Sequence, residues 1–297
     1  LTSFTPNTSL TDQLVKTLII QLTGLTSIDL TRFQTATPIR VQENYSLTSY
    51  TAPASTVVPN SQQYHGNTAL TTLDLSSLAN GFSGIFWFYQ AGYTTLNLPA
   101  KSLFDTLASA GTYVNNLRCD GSGFVILDIS NISNLSGIVN ITSMGTLEEL
   151  ILSTTDYLGT FTDVSVAGGV IDQPIDLSKM VNWGTNATLE IGPAPSCGVI
   201  ANPVMAAGTL QTYSARELGL TTANAFNLSP LIFGSSGISI DFSDNLLSAA
   251  EVSLLADALN AKLVTGTGTI DFRNMAVPAN LTSINALIVK GYTVLHD

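Results

Sequence analysis

Positive charge is what this chain has least of. Its 297 residues hold only 10 Lys and Arg against 21 Asp and Glu, a net charge of −11. No basic patch can be assembled from so few cations, which excludes binding through nucleic-acid phosphates or an anionic membrane surface. Charge of either sign is scarce, at 10% of residues against about a quarter in ordinary domains. Polarity must therefore come from Ser, Thr, Asn and Gln. Disorder is not implied, because 45% of residues are hydrophobic, enough for a substantial core. Cysteine is nearly absent. Cys119 and Cys197 form no CxxC or Cys/His cluster that would suggest zinc. Two buried free thiols are expected on the burial preference of Cys, with a disulfide as the alternative.

Long apolar runs are missing too. "LVKTLIIQL" (Leu14 to Leu22) is the most apolar stretch near the start, yet it contains Lys16 and Gln21. It is too short for a membrane span and lacks the flanks of a signal peptide. A packed helix is expected there, capped by Ser9 or Thr11 and ended by Gly24. The start at Leu1 fits a processed chain or one given without its beginning. Phosphate-loop and nucleophile-elbow motifs, GxxxxGK[ST] and GxSxG, are absent. The two histidines, His65 and His296, lack the sequence setting of a catalytic base.

What is present is a repeated phrase. An apolar–polar–apolar triplet occurs as Ile28-Asp29-Leu30, Leu73-Asp74-Leu75, Leu96-Asn97-Leu98 and Leu127-Asp128-Ile129. It returns as Val139-Asn140-Ile141, Ile175-Asp176-Leu177, Leu189-Glu190-Ile191, Ile240-Asp241-Phe242 and Ile270-Asp271-Phe272, with "LEELILS" (Leu147 to Ser153) as a variant. Period-two alternation puts the apolar pair on one face of a short strand and the Asp or Asn on the other. Short parallel strands of this kind are what a leucine-rich-repeat solenoid stacks. The steps are irregular, from about 12 to about 50 residues, where a regular array holds about 20–29. The expected fold class is α/β leaning to mainly β, an irregular leucine-rich-repeat-like solenoid with short parallel strands and a few helices toward the C-terminus.

The expected divisions follow. Residues 1–35 form an N-terminal helix and first strand acting as cap or anchor. Residues 36–66, rich in Ser, Thr and Pro, form a polar extended arm or loop. Residues 67–235 form the irregular repeat region and 236–297 a C-terminal pair with its cap. In that pair, Ser248 and Glu251 have capping-box spacing, and Val252, Leu255 and Leu259 fall on one helical face. In the second copy, Pro278 suits the first turn of a helix, Ile284, Leu287 and Ile288 its buried stripe, and Gly291 its end. "YTVLHD" reads as a last strand.

"IDFSDNLLSAAEVSLLADAL" (Ile240 to Leu259) and "LIVKGYTVLHD" (Leu287 to Asp297) resemble leucine-rich-repeat-like segments of bacteriophage structural proteins, especially fibre or surface proteins of phages infecting Bacteroidetes. The resemblance is clearest over the last ~60 residues and departs at Arg273-Asn274-Met275. It implies a non-enzymatic virion component acting in assembly and attachment. Its partners would be other virion proteins, copies of itself and a host surface glycan or protein, with no nucleic acid and no membrane insertion. A bacterial cell-surface adhesin or carbohydrate-binding module is the first alternative, and a polysaccharide-degrading enzyme the second.

Candidate sites are few. "GIFWFYQAGY" gathers Phe86, Trp87, Phe88, Tyr89 and Tyr93; it reads as a buried strand or as an exposed platform for a glycan or partner protein. Glu148, Glu149, Asp156 and Asp163 are the carboxylates a glycosidase would need, with nothing to set any pair apart. Asp241, Asp244 and Asn245 offer oxygen ligands for calcium within one turn, or equally a turn held by backbone hydrogen bonds. No catalytic residue, cofactor or metal is assigned. Eight Asn-x-Ser/Thr sequons, Asn44 and Asn134 among them, are weak support for glycosylation in so Ser/Thr-rich a chain.

Overall fold

The computed structural model describes residues 2–5, 14–15, 17–31, 33, 35–36, 38–54 and 58–297. It is mostly short parallel strands with three helices, an α/β arrangement leaning to β. Two compact units divide it, Leu1–Gly159 and Thr160–Asp297.

In the first unit six strands pair in parallel in chain order. They are β1 (Leu18–Gln21), β2 (Ile39–Gln42), β3 (Ser61–Gln63), β4 (Gly84–Trp87), β5 (Val114–Arg118) and β6 (Leu135–Ile141). Very short strands form separate parallel pairings. Ser27–Asp29 sits between Ser3–Phe4 and Ser49–Thr51, Thr72–Asp74 pairs with Thr95–Asn97, and Ile126–Asp128 pairs with Glu149–Ile151. Helix α1 (Lys101–Ser109) lies in the connection between β4 and β5.

The second unit repeats the scheme with β7 (Phe161–Val166), β8 (Trp183–Ile191), β9 (Leu210–Ala215), β10 (Ile238–Asp241), β11 (Gly268–Asp271) and β12 (Tyr292–Leu295). Ile175–Asp176 pairs with Ile200–Ala201. Helices α2 (Ala249–Lys262) and α3 (Thr282–Val289) occupy the last two connections.

Register explains the uneven spacing of the triplet. Aligned residues on the long series run Ile19, Arg40, Gln63, Trp87, Arg118 and Asn140, steps of 21 to 31 residues, the longest containing α1. In the second unit Ser165, Glu190, Ser214, Asp241, Asp271 and Leu295 are spaced by 24 to 30. The triplets at Ile28, Leu73, Leu96, Leu127 and Ile175 belong instead to the short strands. Two interleaved series of strands therefore share the one triplet pattern.

The Asp of the triplet has a defined task. Asp29, Asp74, Asp128, Asp176, Asp241 and Asp271 each accept the backbone N–H two residues on, at 2.9 to 3.0 Å. Each carboxylate thereby ends its strand in an Asx turn. Buried asparagines complete other turns. Asn245 is 2% exposed; its Nδ2 donates to the carbonyls of Ala215 and Phe242, and its Oδ1 accepts from Leu218 and Leu220 N–H. Apart from half-buried Leu96 and Leu98, the apolar members of the triplets are buried in the core, where aromatic rings also meet: Phe82 with Phe86 and Phe104, Phe86 with Phe88, and Phe242 with Tyr213, Phe226 and Phe272.

Several expectations are corrected. Among the described residues from Leu14 to Leu22 there are strands at Leu14–Val15 and Leu18–Gln21 rather than a helix. Its β-branched Ile19 and Ile20 fit a pleated strand, and Ile20 is buried while Ile19 is exposed. The suggested caps Ser9 and Thr11 lie outside the described residues. The polar arm is no arm: Ile39–Gln42, Ser49–Thr51 and Ser61–Gln63 join the sheets and bury Ile39, Val41, Leu47, Tyr50 and Tyr64. Helices are not confined to the C-terminal end, since α1 lies mid-chain. Pro278 precedes α3 rather than opening it, and Ile288 is 48% exposed. Ser248 caps α2 as expected by accepting Glu251 N–H, but the Glu251 carboxylate accepts from Ala223 N–H. Val252, Leu255 and Leu259 are buried on one face, and Tyr292–Leu295 is the last strand.

Both cysteines are buried free thiols. Burial pushes the Cys119 thiol well above its ordinary range and that of Cys197 up to about 11. The sequons at Asn44 and Asn134 are fully buried, with their amide groups donating to carbonyls, so the folded chain offers neither to a glycan. No helix among the described residues is long and apolar enough to cross a membrane.

Replacing Asn245 by Ala leaves two carbonyls and two amides without their partner in the interior. At about 1–3 kcal/mol for each buried group left unsatisfied, less what water recovers, a loss of about 3 kcal/mol or more is expected in urea unfolding. Asp244→Asn, one residue away at a half-buried position, costs under about 1 kcal/mol, since Asn tolerates its left-handed backbone (φ 61°).

Candidate functional site

Alternation along a strand sends successive side chains to opposite faces. In and just beyond β4 this sorts the aromatic cluster. Phe86 and Phe88 are fully buried, whereas Trp87 and Tyr89 stand half-exposed on the solvent face. Tyr93, beyond the strand, is also fully buried; its hydroxyl donates to the Tyr64 carbonyl and accepts from Asn67 Nδ2. Of the five aromatic residues read as a buried strand or an exposed platform, three belong to the core and two to the face. Gly84 at the head of β4 has φ +70°, and a Cβ there would lie 1.9 Å from the Asn60 carbonyl oxygen. Only glycine lets the strand enter so close to its neighbour.

Neighbouring strands complete the site. β3 ends at buried Gln63 and leads into His65, and β5 carries Asn116 and Arg118 and leads into Asp120. The Trp87 Nε1–H donates to Asn116 Oδ1 at 2.9 Å, fixing the indole. Arg118 forms a fork with Asp120, Nε to Oδ1 at 2.5 Å and Nη2 to Oδ2 at 3.1 Å. Its guanidinium carbon sits 4.1 Å from the centre of the Tyr89 ring, a cation–π contact. The imidazole of His65, from the other flanking strand, stacks on Tyr89 at 4.6 Å and 4°. Trp87 meets Tyr89 edge-on at 6.0 Å. The result is a set of side chains each held by another, on a strand scaffold that cannot easily shift register.

Burial holds the His65 imidazole below its ordinary pKa; nearby Glu43 opposes the shift, while Arg118 and Arg40 add to it. The ring is thus neutral near neutral pH, with one nitrogen to donate and one to accept. His65 lies in the stretch expected to be a polar arm, and neither its place in this cluster nor those of Arg118, Asp120 and Asn116 are among the sequence expectations. The alternation in "VNNLRCD" was a visible signal for the last three. The register that brings them beside Trp87 was not.

The other candidates do not assemble. Within the first unit Glu148 and Glu149 sit at the start of a short strand and Asp156 in an exposed loop, and Asp163 lies on β7. Asp241, Asp244 and Asn245 point apart. The first accepts Ser243 N–H, the second accepts from Asn274 Nδ2 at 2.8 Å, and the third turns into the core. The residues behave as turn formers. His296 is exposed near the chain end. On the solvent face of the second unit, Glu190, Thr212, Ser214, Arg216, Ser239 and Asp241 line a groove of about 230 Å³. No group of three His, Cys, Asp or Glu side chains among the described residues is placed to share a metal.

With its folded pKa below the unfolded value of about 6.5, His65 makes the unfolded chain bind the proton first. Its contribution is fully present above that value, and stability falls as the pH drops below about 6.5 until the folded pKa is passed. An NMR titration of the His65 ring is expected to give a midpoint below the ordinary histidine value of about 6.5. His65→Gln is expected to flatten this part of the stability–pH curve.

No protein-family model, no curated protein and no solved structure matches the chain, so the site is read from its chemistry alone.

Proposed function

We propose that the chain is a leucine-rich-repeat-like solenoid and a non-enzymatic structural component of a bacteriophage particle, a fibre, decoration or other surface protein acting in assembly and attachment. The observation that carries this reading is the repeated register. In each unit every strand of the long series pairs in parallel with the next, and the same Asx turn ends strand after strand. Such stacking makes a rigid body from local contacts and leaves the solvent-facing positions free to vary. The likeness of the last ~60 residues to phage structural segments supports the same reading, as does the shortage of Lys and Arg, which leaves few tryptic sites. Self-association is part of the proposal, because an open sheet edge must be capped or paired.

A bacterial cell-surface adhesin or carbohydrate-binding module is the second reading. It is favoured by the half-exposed Trp87–Tyr89 cluster, which a purely structural role does not call for.

Immunogold labelling of the source culture separates the two. Regular gold on free particles is the expected result, and its position distinguishes capsid decoration from a tail fibre. Gold confined to cell envelopes would exclude the particle and establish the adhesin.

A further inference from the structure

We infer that the solvent face of the first unit around Trp87 is a binding site for a neutral oligosaccharide. The inference rests on the reading of the chain as a surface component and assigns a ligand class to one face of it.

Spacing is the first argument. Parallel neighbours lie about 4.8 Å apart, so aligned residues form rows of side chains at that interval across the strands. One row runs Gln63, Trp87, Arg118, Asn140. His65, Tyr89, Asp120 and Thr142 each lie two residues further along their own chains. Gln63 is buried, so His65 presents that strand, and a chain of sugar rings laid across the strands meets a polar or aromatic group at His65, Trp87, Arg118 and Asn140.

Chemistry is the second. An aromatic body with polar groups at its rim is what the alternating C–H faces and hydroxyls of a pyranose require. Trp87 supplies the aromatic body, since the Tyr89 ring is already engaged by His65 and Arg118. Asn116 Oδ1 and Asn140 Oδ1 accept from Trp87 Nε1–H and Thr142 Oγ1–H. Among the described residues, neither carboxamide NH₂ donates to a protein acceptor, so both are available to hydroxyls. Asp120 is held by Arg118 with its side chain 15% exposed, ready to accept without first being ordered.

Charge selects among ligands. Around His65, Glu43 and Asp120 match Arg40 and Arg118 in number; Arg118 is already committed to its fork and the Nε of Arg40 is buried. A phosphate or sulfate would need a free cation, which favours a neutral glycan. A protein partner would want a broader apolar centre than the Trp87 indole with Ile85 and Ile138 in the adjoining row, set among Asn116, Asn140 and Thr142.

The test uses the purified chain on an array of neutral, sialylated and sulfated oligosaccharides, followed by calorimetry with the best neutral binder. Retention of neutral glycans is expected. Trp87→Ala and Asp120→Asn are each expected to weaken binding about tenfold or more, as truncation of an interface anchor does. Val289→Ser, at an exposed position of α3, is expected to leave it unchanged. Asn116→Ala, which keeps the indole, serves where Trp87→Ala fails to fold. No retention, retention indifferent to all three site variants, or retention confined to acidic glycans would overturn the inference. Particle labelling is independent of this outcome. Glycan binding with gold only on cell envelopes would retain the site and reject the virion, and gold on particles without glycan binding would do the reverse.

Discussion

The structure depends on side chains that replace missing backbone partners at turns. A strand stacked in parallel finds its ladder partners in the strands beside it, but the chain that leaves it must turn inside the protein, where unpaired amides and carbonyls are costly. Asparagine has a donor and an acceptor on one short side chain, so a single carboxamide serves both needs. Asn67 shows how this links successive strands. Its Nδ2 donates to the carbonyls of Val41 and Tyr64, and its Oδ1 accepts the N–H of Asn44. Asn44 in turn donates to Ile20 and Gln42 carbonyls and accepts from Thr23. On the polar side of the triplets Asp does the simpler task of ending the strand. A composition rich in Asn, Ser and Thr and poor in charge follows from this mode of turning.

Much of the fold was legible for that reason. The triplet exposes strand periodicity and Asx turn chemistry together, and the parallel arrangement and the C-terminal helix–strand pair could be read from it. What failed was the separation of two series that share one pattern. The triplets at Leu127 and Val139 lie only 12 residues apart because the first is in a short strand and the second in β6. The former arm failed differently. "SQQYH" has no apolar alternation, since Gln62 occupies a core position and accepts a hydrogen bond from the Tyr64 hydroxyl. A polar residue at a core position has the sequence signature of a loop.

The candidate site was half legible. Local alternation was enough to place Trp87 and Tyr89 opposite Phe86 and Phe88, but not to say which pair met solvent. His65, Arg118 and Asp120 are 22, 31 and 33 positions from Trp87, and only the strand register brings them to it. The same division runs through the proposed function. Inward positions and turn asparagines build the repeat, while outward positions are unconstrained by it and can carry recognition.

Hydrogen exchange at the turn amides tests the central claim most directly. If the asparagine carboxamides hold the turns, the N–H groups of Thr23, Asn44, Leu218 and Leu220, which they accept, will exchange as slowly as amides within the adjoining strands. Exchange of these four at the rate of exposed loops, with the strands still protected, would contradict the account.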